Sequence, residues 1–194
     1  MELSPKLYNW LVRPGWFSQL FINDVIKNEF DFNCKTVLDF GCGTGTSSSM
    51  FEPGSYYGVD CDLRRILYAQ YQNPGYNFSV LRGHTMPVYE NSFDYILVIA
   101  VLHHIPKHEL PLYLKDFKRV LKPQGTILVI EPYLSEGCYF SNLFMKFVDR
   151  GKYIEGEEEY LELFRNCNYK VEVHKRYKQL CFYNKLFFSA TPAK

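Results

Sequence analysis

Three alternating glycines and a distant acid are the residues of this chain whose spacing most clearly suggests chemistry. The segment VLDFGCGTGT (37–46) places Gly41, Gly43 and Gly45 directly after an apolar run. Glycine has no Cβ, so a loop of this kind can turn tightly and bring its backbone close to a ligand. Asp60 ends the next apolar run, where a carboxylate can accept hydrogen bonds from both hydroxyls of a ribose. Together these residues predict a site for a nucleotide-like ligand.

The chemistry of the glycine loop separates two classes of ligand. Dinucleotide-binding loops follow the pattern GxGxxG, whereas this loop follows GxGxG and has Thr46 where the last glycine would stand. Asp39 lies two residues before the first glycine, where its charge would repel a pyrophosphate and attract a cation. These features favour S-adenosylmethionine, which carries an ammonium and a sulfonium group, over a nicotinamide dinucleotide.

Two histidines and a glutamate follow later apolar runs. His103 and His104 come after the run 93–100, and Glu131 lies near the end of 125–132. Imidazole can accept a proton near neutral pH, so either histidine is a candidate general base; the alternative is that one imidazole bonds a loop backbone. For Glu131, a role as a base or orienting group and a role in loop packing both stay open.

The elements that must position these residues alternate between strands and helices. Strands are predicted at 36–40, 56–60, 76–82, 93–100 and 125–132, with closing strands near 169–177 and 183–190. Helices are predicted at Thr46–Phe51, at Leu63–Tyr71 with Asp62 as its cap, from Leu110 to Leu121 and from 139, and a last helix has its acidic start at Glu155–Glu159. This alternation predicts an α/β fold with an open, mostly parallel sheet and helices on both faces. Ligands of such folds bind beyond the carboxyl ends of the strands.

Composition excludes several other classes of protein. Of 194 residues, 47% are apolar and 22% charged, as expected for one soluble globular domain. The net charge of +1 and the lack of a basic stripe argue against nucleic-acid binding. The six cysteines show no CxxC pair or metal-ligand spacing, which predicts reduced thiols in a cytoplasmic protein without a metal site. No signal-peptide pattern or membrane-spanning run is present.

Four longer segments resemble the motifs of a known family in their order and spacing. VLDFGCGTG, YYGVDCD, MPVYENSFDYILVIAVLHHI and RVLKPQGTILVIEP are similar to successive motifs of the class I S-adenosylmethionine-dependent methyltransferases. The likeness extends from residue 36 to about residue 132 and is strongest to the small-molecule branch that includes the ubiquinone and menaquinone methyltransferases. It implies a Rossmann-like, doubly wound sheet of seven strands, with the last strand antiparallel and the final two strands forming a hairpin.

The resemblance also implies roles for individual residues. Asp39 and the three glycines would hold the methionine end of the cofactor and Asp60 the ribose, while Cys61 and Asp62 would line the adenine pocket. The segment GHTMPV (83–88) is two residues shorter than the family pattern, so either His84 or Met86 would take the adenine contact. The expected cofactor-binding set is Asp39, Gly41, Cys42, Gly43, Gly45, Asp60, Cys61, His84, Thr85, Met86 and Ala100.

The chain is therefore expected to be a single domain, 1–194, that is a monomer or homodimer. Its expected parts are an N-terminal helical cover (1–30), a cofactor-binding core (36–132), a helical substrate cover (133–168) and a closing hairpin (169–194). The expected activity is in-line methyl transfer to a small molecule. Aromatic residues in the two covers favour an aromatic or apolar acceptor, although core packing also explains them. The alternatives are a cofactor-binding protein without turnover, a nicotinamide-dependent oxidoreductase, and a protein or nucleic-acid acceptor.

Overall fold

The computed structural model describes residues 22, 24–135, 137, 142–143, 145, 153–179 and 183–193. Their contacts divide the chain into two compact units, Met1–Pro87 and Val88–Lys194. The expectation of a single domain stays a prediction.

The first unit contains three parallel strands. Strand β1 (Val37–Phe40) pairs with β2 (Tyr56–Asp60), and β2 pairs with β3 (Asn77–Val80). Among its described residues, the α-helices are the short α1 (Asp24–Lys27) and α2 (Leu63–Gln72). The Asp62 side chain accepts a hydrogen bond of 2.8 Å from the Arg64 N–H, which confirms Asp62 as the cap of α2.

The second unit contains four strands. Strand β4 (Phe93–Ile99) is parallel to β5 (Leu121–Pro132), and β6 (Tyr169–Gln179) and β7 (Tyr183–Pro192) form an antiparallel hairpin that joins β5 through β7. Helix α3 (Leu110–Val120) buries the apolar face that its sequence spacing predicts, and α4 (Glu157–Asn166) begins with three glutamates.

The sheet confirms the fold class expected from the sequence. Its strand order is β3-β2-β1-β4-β5-β7-β6, seven strands that are mostly parallel, with β7 antiparallel to β5. Residues 96–99 of β4 are at most 4% exposed, as expected for a strand covered on both faces.

The helix expected at Thr46–Phe51 is wrong in length and type. Only Ser48–Met50 is helical, as a 3₁₀ turn, and a second 3₁₀ turn follows at Pro53–Ser55. Three consecutive serines have low helix propensity, and Pro53 and Gly54 stop any continuation before β2 begins at Tyr56. The glycine loop is therefore followed by two 3₁₀ turns and not by the predicted helix.

Strand β5 begins earlier than the sequence predicts. Leu121 pairs with Phe93, and after a register shift Thr126 pairs with Tyr95, so the segment 122–125 forms an irregularity inside the strand.

Two expectations fall mainly outside the described residues. Of the N-terminal helical cover, only Ile22 and residues 24–30 are described, and most of the helix expected from 139 is not. No helix in the described part of the chain is long and apolar enough to cross a membrane.

Candidate functional site

The glycine loop of the first unit adopts a conformation that glycine favours. Gly41, Gly43 and Gly45 have φ angles of 74°, 57° and 77°, all in the left-handed region. The N–H groups of Gly41 and Cys42 both donate to the Val59 carbonyl, at 2.8 and 3.0 Å, and so hold the loop against β2. Other residues would be strained at these three positions.

The second and third glycines face different surroundings. A Cβ on Gly43 would meet no atom of the described residues within 4 Å, so the backbone there is open to a ligand. A Cβ on Gly45 would lie 2.8 Å from Cζ of Phe78 and 3.0 Å from the amide nitrogen of Asn73. Gly45 therefore serves the packing of Phe78, a role that the sequence motif does not reveal.

Asp60 connects the end of β2 to the glycine loop. The residue is 6% exposed, and its Oδ2 accepts a hydrogen bond of 2.9 Å from the Gly43 N–H. Its Oδ1 accepts a second bond, of 2.8 Å, from the Asp62 N–H. A carboxylate offers about four acceptor positions, so these two bonds orient Asp60 and leave it capacity for the hydroxyls of a ribose.

Asp39 is buried and held by a tyrosine that the sequence analysis did not single out. The Tyr56 hydroxyl donates a hydrogen bond of 2.7 Å to Oδ2 of Asp39, and both residues are 2% exposed. Burial and the Asp39 carboxylate raise the pKa of Tyr56 well above its ordinary value, so the hydroxyl stays a donor. The contact follows from the strand register, which the sequence does not show. Asp39 pairs with Gly58, which has no side chain, and Tyr56 is two residues away on the same face of β2.

The Cys42 thiol is flanked by both acids. It is 5% exposed, and burial, together with the carboxylates of Asp39 and Asp60, raises its pKa well above the ordinary value. The thiol is therefore neutral, and the charges at this loop are the two carboxylates. Such a loop fits a ligand with cationic groups and ribose hydroxyls, and it does not fit a pyrophosphate, which would need positive charge or a helix N-terminus.

The residues expected near an adenine lie at two places in the first unit. Cys61 is exposed directly after Asp60, while Asp62 is committed to capping α2. In the segment 83–86, Gly83 has a φ angle of 70°, His84 is half-buried, Thr85 is exposed and Met86 is 2% exposed. The adenine contact stays a prediction.

In the second unit, the end of β4 carries a strained residue. Ala100 has a φ angle of 55°, and its N–H donates to the Ile130 carbonyl at 2.8 Å. A non-glycine residue in this region costs about 1–3 kcal/mol and persists only where its surroundings enforce it. Such strain is common at functional sites, and the expected cofactor contact of Ala100 stays a prediction.

The buried carboxylate of Glu131 holds the turn that follows Ala100. Its Oε1 accepts hydrogen bonds from the N–H groups of Val101 and Leu102, at 2.6 and 2.8 Å. Its Oε2 lies 2.6 Å from Nδ1 of His103, and both side chains are at most 1% exposed. Of the roles left open for Glu131, the structure shows an orienting contact with both the loop backbone and the imidazole.

The two histidines differ sharply in their surroundings. His103 is buried, and its carbonyl accepts a hydrogen bond from the Tyr153 N–H at 3.0 Å, whereas His104 is exposed. Their rings are in contact, with centroids 4.1 Å apart. Because a carboxylate accepts, Nδ1 of His103 is the donor, and Nε2 carries the lone pair when the ring is neutral.

The structure thus connects the predicted residues in two groups. Asp39, Gly41, Cys42, Gly43 and Asp60 form one in the first unit, and Ala100, His103 and Glu131 form one in the second. Across the described ranges, no cluster of three or more metal-ligating side chains occurs.

Comparison with known proteins places these features in a family. The model of a family described as "Methyltransferase domain" matches residues 38–129. Phosphoethanolamine N-methyltransferase of Plasmodium falciparum is 30% identical over 186 residues, which cover 88% of this chain and 68% of the relative. Demethylmenaquinone methyltransferase of Bacillus licheniformis is 28% identical over 117 residues, 56% of this chain. The chain spans about half the length of this second relative.

A solved structure shares the fold over nearly the whole chain. The crystal structure of an S-adenosylmethionine-dependent methyltransferase from Aquifex aeolicus aligns with a TM-score of 0.69. The alignment covers 97% of this chain and 99% of that one at 20% sequence identity. At this identity, the similarity shows a common fold and nothing about function.

Proposed function

Since the chain belongs to the class I S-adenosylmethionine-dependent methyltransferases, we propose that it binds S-adenosylmethionine at its glycine loop and methylates a small molecule. The observation that carries this proposal is the bond between Asp60 and the Gly43 N–H, which joins a ribose-binding acid to an open glycine backbone. The two buried carboxylates of the loop suit a cationic ligand.

The residues of the first unit would bind the cofactor in parts. Gly41, Cys42 and Gly43 supply backbone groups for the methionine end, and Gly45 preserves the loop by admitting the Phe78 ring. Asp39 adds negative charge near the ammonium and sulfonium groups, and Asp60 accepts from the ribose hydroxyls. The adenine would lie near Cys61, His84, Thr85 and Met86. When bound, S-adenosylmethionine supplies an activated methyl group on a positively charged sulfur.

The residues of the second unit would serve the acceptor. Much of the acceleration of a direct displacement comes from alignment, and a base is needed only when the acceptor must lose a proton. His103 and His104 are the candidate bases, and Ala100 shapes the turn that carries them. The buried Glu131 carboxylate would stabilise the imidazolium that forms when His103 takes up a proton.

The acceptor class is supported by the relatives. Their names specify phosphoethanolamine and demethylmenaquinone, both small molecules. We propose a small acceptor, with an aromatic or apolar one favoured by the aromatic residues of the expected covers.

Calorimetric binding of S-adenosylhomocysteine tests the cofactor site. Both oxygens of Asp60 accept N–H bonds, so Asp60→Asn must place an amide NH₂ against one donor. The substitution also removes the charge that a ribose hydroxyl would bind. Losing this charge-assisted bond to the ligand, worth about 1.5–3 kcal/mol, weakens the affinity by about tenfold to a hundredfold. Asp116→Asn, which removes a carboxylate paired with Arg119 in α3, is the matched control and leaves affinity unchanged. No binding by the wild-type protein would contradict the proposal.

A transfer assay separates the remaining alternatives. Radiolabelled S-adenosylmethionine is incubated with phosphoethanolamine and with a demethylated hydroquinone. Transfer to either supports the proposed activity, and cofactor binding without transfer across a wider panel of small acceptors favours a binding protein. Binding of NADH in place of the cofactor would favour an oxidoreductase.

A further inference from the structure

Glu131 is the buried acid of the second unit that contacts both a strained turn and a histidine. Its two oxygens have separate partners: Oε1 accepts from Val101 and Leu102, and Oε2 faces Nδ1 of His103. The partners lie 28 to 30 residues away in sequence. One side chain on β5 therefore contacts every residue from 101 to 103.

The contact between Oε2 and His103 determines which nitrogen of the imidazole carries a proton. A carboxylate oxygen only accepts hydrogen bonds, so the Nδ1 that faces Oε2 must carry a proton. The neutral His103 ring then has its lone pair on Nε2, and a proton taken up there gives an imidazolium whose charge is balanced by Glu131. At the same time, the two backbone bonds to Oε1 hold the turn that begins at Ala100, whose φ angle is 55°.

We propose that Glu131 is a positioning residue of the methyl-transfer site: it fixes the turn 100–102 through Oε1 and makes Nε2 the proton-accepting nitrogen of His103 through Oε2. The inference rests on the proposed function only in the use to which Nε2 is put. Glu131 itself does not touch the acceptor in this scheme and acts through His103.

Nitrogen-15 NMR of the histidine rings tests the scheme directly. The chain has five histidines, and the His103 signals are assigned by their loss in His103→Asn. In the wild-type protein, Nδ1 is expected to be protonated at neutral and at alkaline pH, and Nε2 to lose its proton first. A neutral ring with the proton on Nε2 would overturn the proposal, and this arm needs no substitution of Glu131.

Glu131→Gln should reverse the tautomer. Because the side-chain oxygen still accepts from the Val101 and Leu102 N–H groups, the amide NH₂ must turn toward His103 and donate to Nδ1. The expected result is an Nδ1 without a proton and an Nε2 with one. A His103 ring that keeps its proton on Nδ1 in this variant would contradict the role of the carboxylate.

Backbone hydrogen exchange separates the two oxygens. Glu131→Gln should leave the Val101 and Leu102 amides protected, whereas Glu131→Ala should raise their exchange rates at least about tenfold. Equal rates in both variants would overturn the role of Oε1. Glu157→Gln, which neutralises a half-buried carboxylate paired with Arg176, is the matched control and should change neither the tautomer of His103 nor the two exchange rates.

Binding of S-adenosylhomocysteine distinguishes failure of this inference from failure of the proposed function. Glu131→Gln is expected to bind it within about twofold of the wild-type protein. All proposed cofactor groups except Ala100 lie in the first unit, and the Gln oxygen still holds the turn next to Ala100 through the Val101 and Leu102 N–H groups. If neither protein binds it, the methyltransferase proposal fails. The NMR experiment still tests the contact between Glu131 and His103, because it does not depend on cofactor binding.

Discussion

Replacing Gly45 and Gly43 separately with alanine should have different effects, because the two glycines meet different surroundings. Both have positive φ angles, of 77° and 57°, so each alanine pays a backbone cost of about 1–2 kcal/mol. At Gly45 the new Cβ would also lie 2.8 Å from the Phe78 ring, a contact that forces the ring to move. Overpacking of this kind adds about 1–3 kcal/mol.

The expected free energy of unfolding therefore falls by about 2–5 kcal/mol in Gly45→Ala and by about 1–2 kcal/mol in Gly43→Ala. For a chain of this size, about 1 kcal/mol corresponds to a shift of roughly 2–4 °C in Tm. Thermal and urea denaturation, monitored by circular dichroism, measure the difference.

The affinity for S-adenosylhomocysteine should fall more in Gly43→Ala than in Gly45→Ala, the reverse of the effect on stability. The Cβ on Gly43 would occupy the open side of the loop, so Gly43→Ala should weaken S-adenosylhomocysteine affinity while it costs less stability. Gly45→Ala should affect binding mainly through loss of folded protein. Calorimetry at a temperature where both variants are folded gives this comparison.

A double-mutant cycle with Phe78 checks the physical reason. In the Phe78→Leu background the contact with the ring is removed, so Gly45→Ala should cost less. What remains is the backbone strain of about 1–2 kcal/mol and the displacement of the Asn73 side chain. Gly43→Ala should cost the same in either background. If the cost of Gly45→Ala is independent of Phe78, or equal to that of Gly43→Ala, the assigned packing role is wrong.

Three further predictions concern the same unit. Tyr56→Phe keeps the ring but removes the donor to the buried Asp39, so the free energy of unfolding should fall by about 1–3 kcal/mol in urea denaturation; an unchanged value would mean that this bond contributes nothing. Asp62→Ala removes the cap of α2 and should lower the free energy of unfolding by about 0.5–2 kcal/mol, whereas Asp62→Asn should retain most of the capping stabilisation. Burial and two nearby carboxylates raise the pKa of the Cys42 thiol, so the reactive thiolate forms only at alkaline pH. Iodoacetamide labelling of the native protein should therefore be slower at Cys42 than at the exposed Cys34 at neutral pH; equal labelling would contradict the assignment.

Local features of this fold were predictable because their signals are local. Helix α3 follows from apolar residues that recur on one face, and Asp62 precedes α2 in the position that a capping side chain requires. The strands were predicted within a few residues at most ends, since apolar runs bounded by turn residues define them. The prediction of a helix after the glycine loop was wrong because it relied on the glycine motif and ignored the three serines and Pro53, which disfavour a helix there.

The partners of the buried acids depend on the register of the strands. Asp39 receives the Tyr56 hydroxyl because β1 and β2 pair with Asp39 opposite Gly58. Glu131 reaches the turn after β4 because Ile99 pairs with Ile130, which brings segments about 30 residues apart side by side. Apolar patterning predicts that the strands exist, whereas register arises only when they pack.

By itself the sequence determined the family and the fold class, and it predicted the residues of the proposed cofactor site, since glycine spacing and acid positions are properties of a short segment. Three glycines at alternate positions are nevertheless equivalent in the sequence. Tertiary structure made Gly43 open to a ligand and placed Gly45 against Phe78, because β3 pairs with β2 and brings that ring to the loop. It also decided that Glu131 orients His103, because a buried carboxylate takes its role from the donors that packing brings to it.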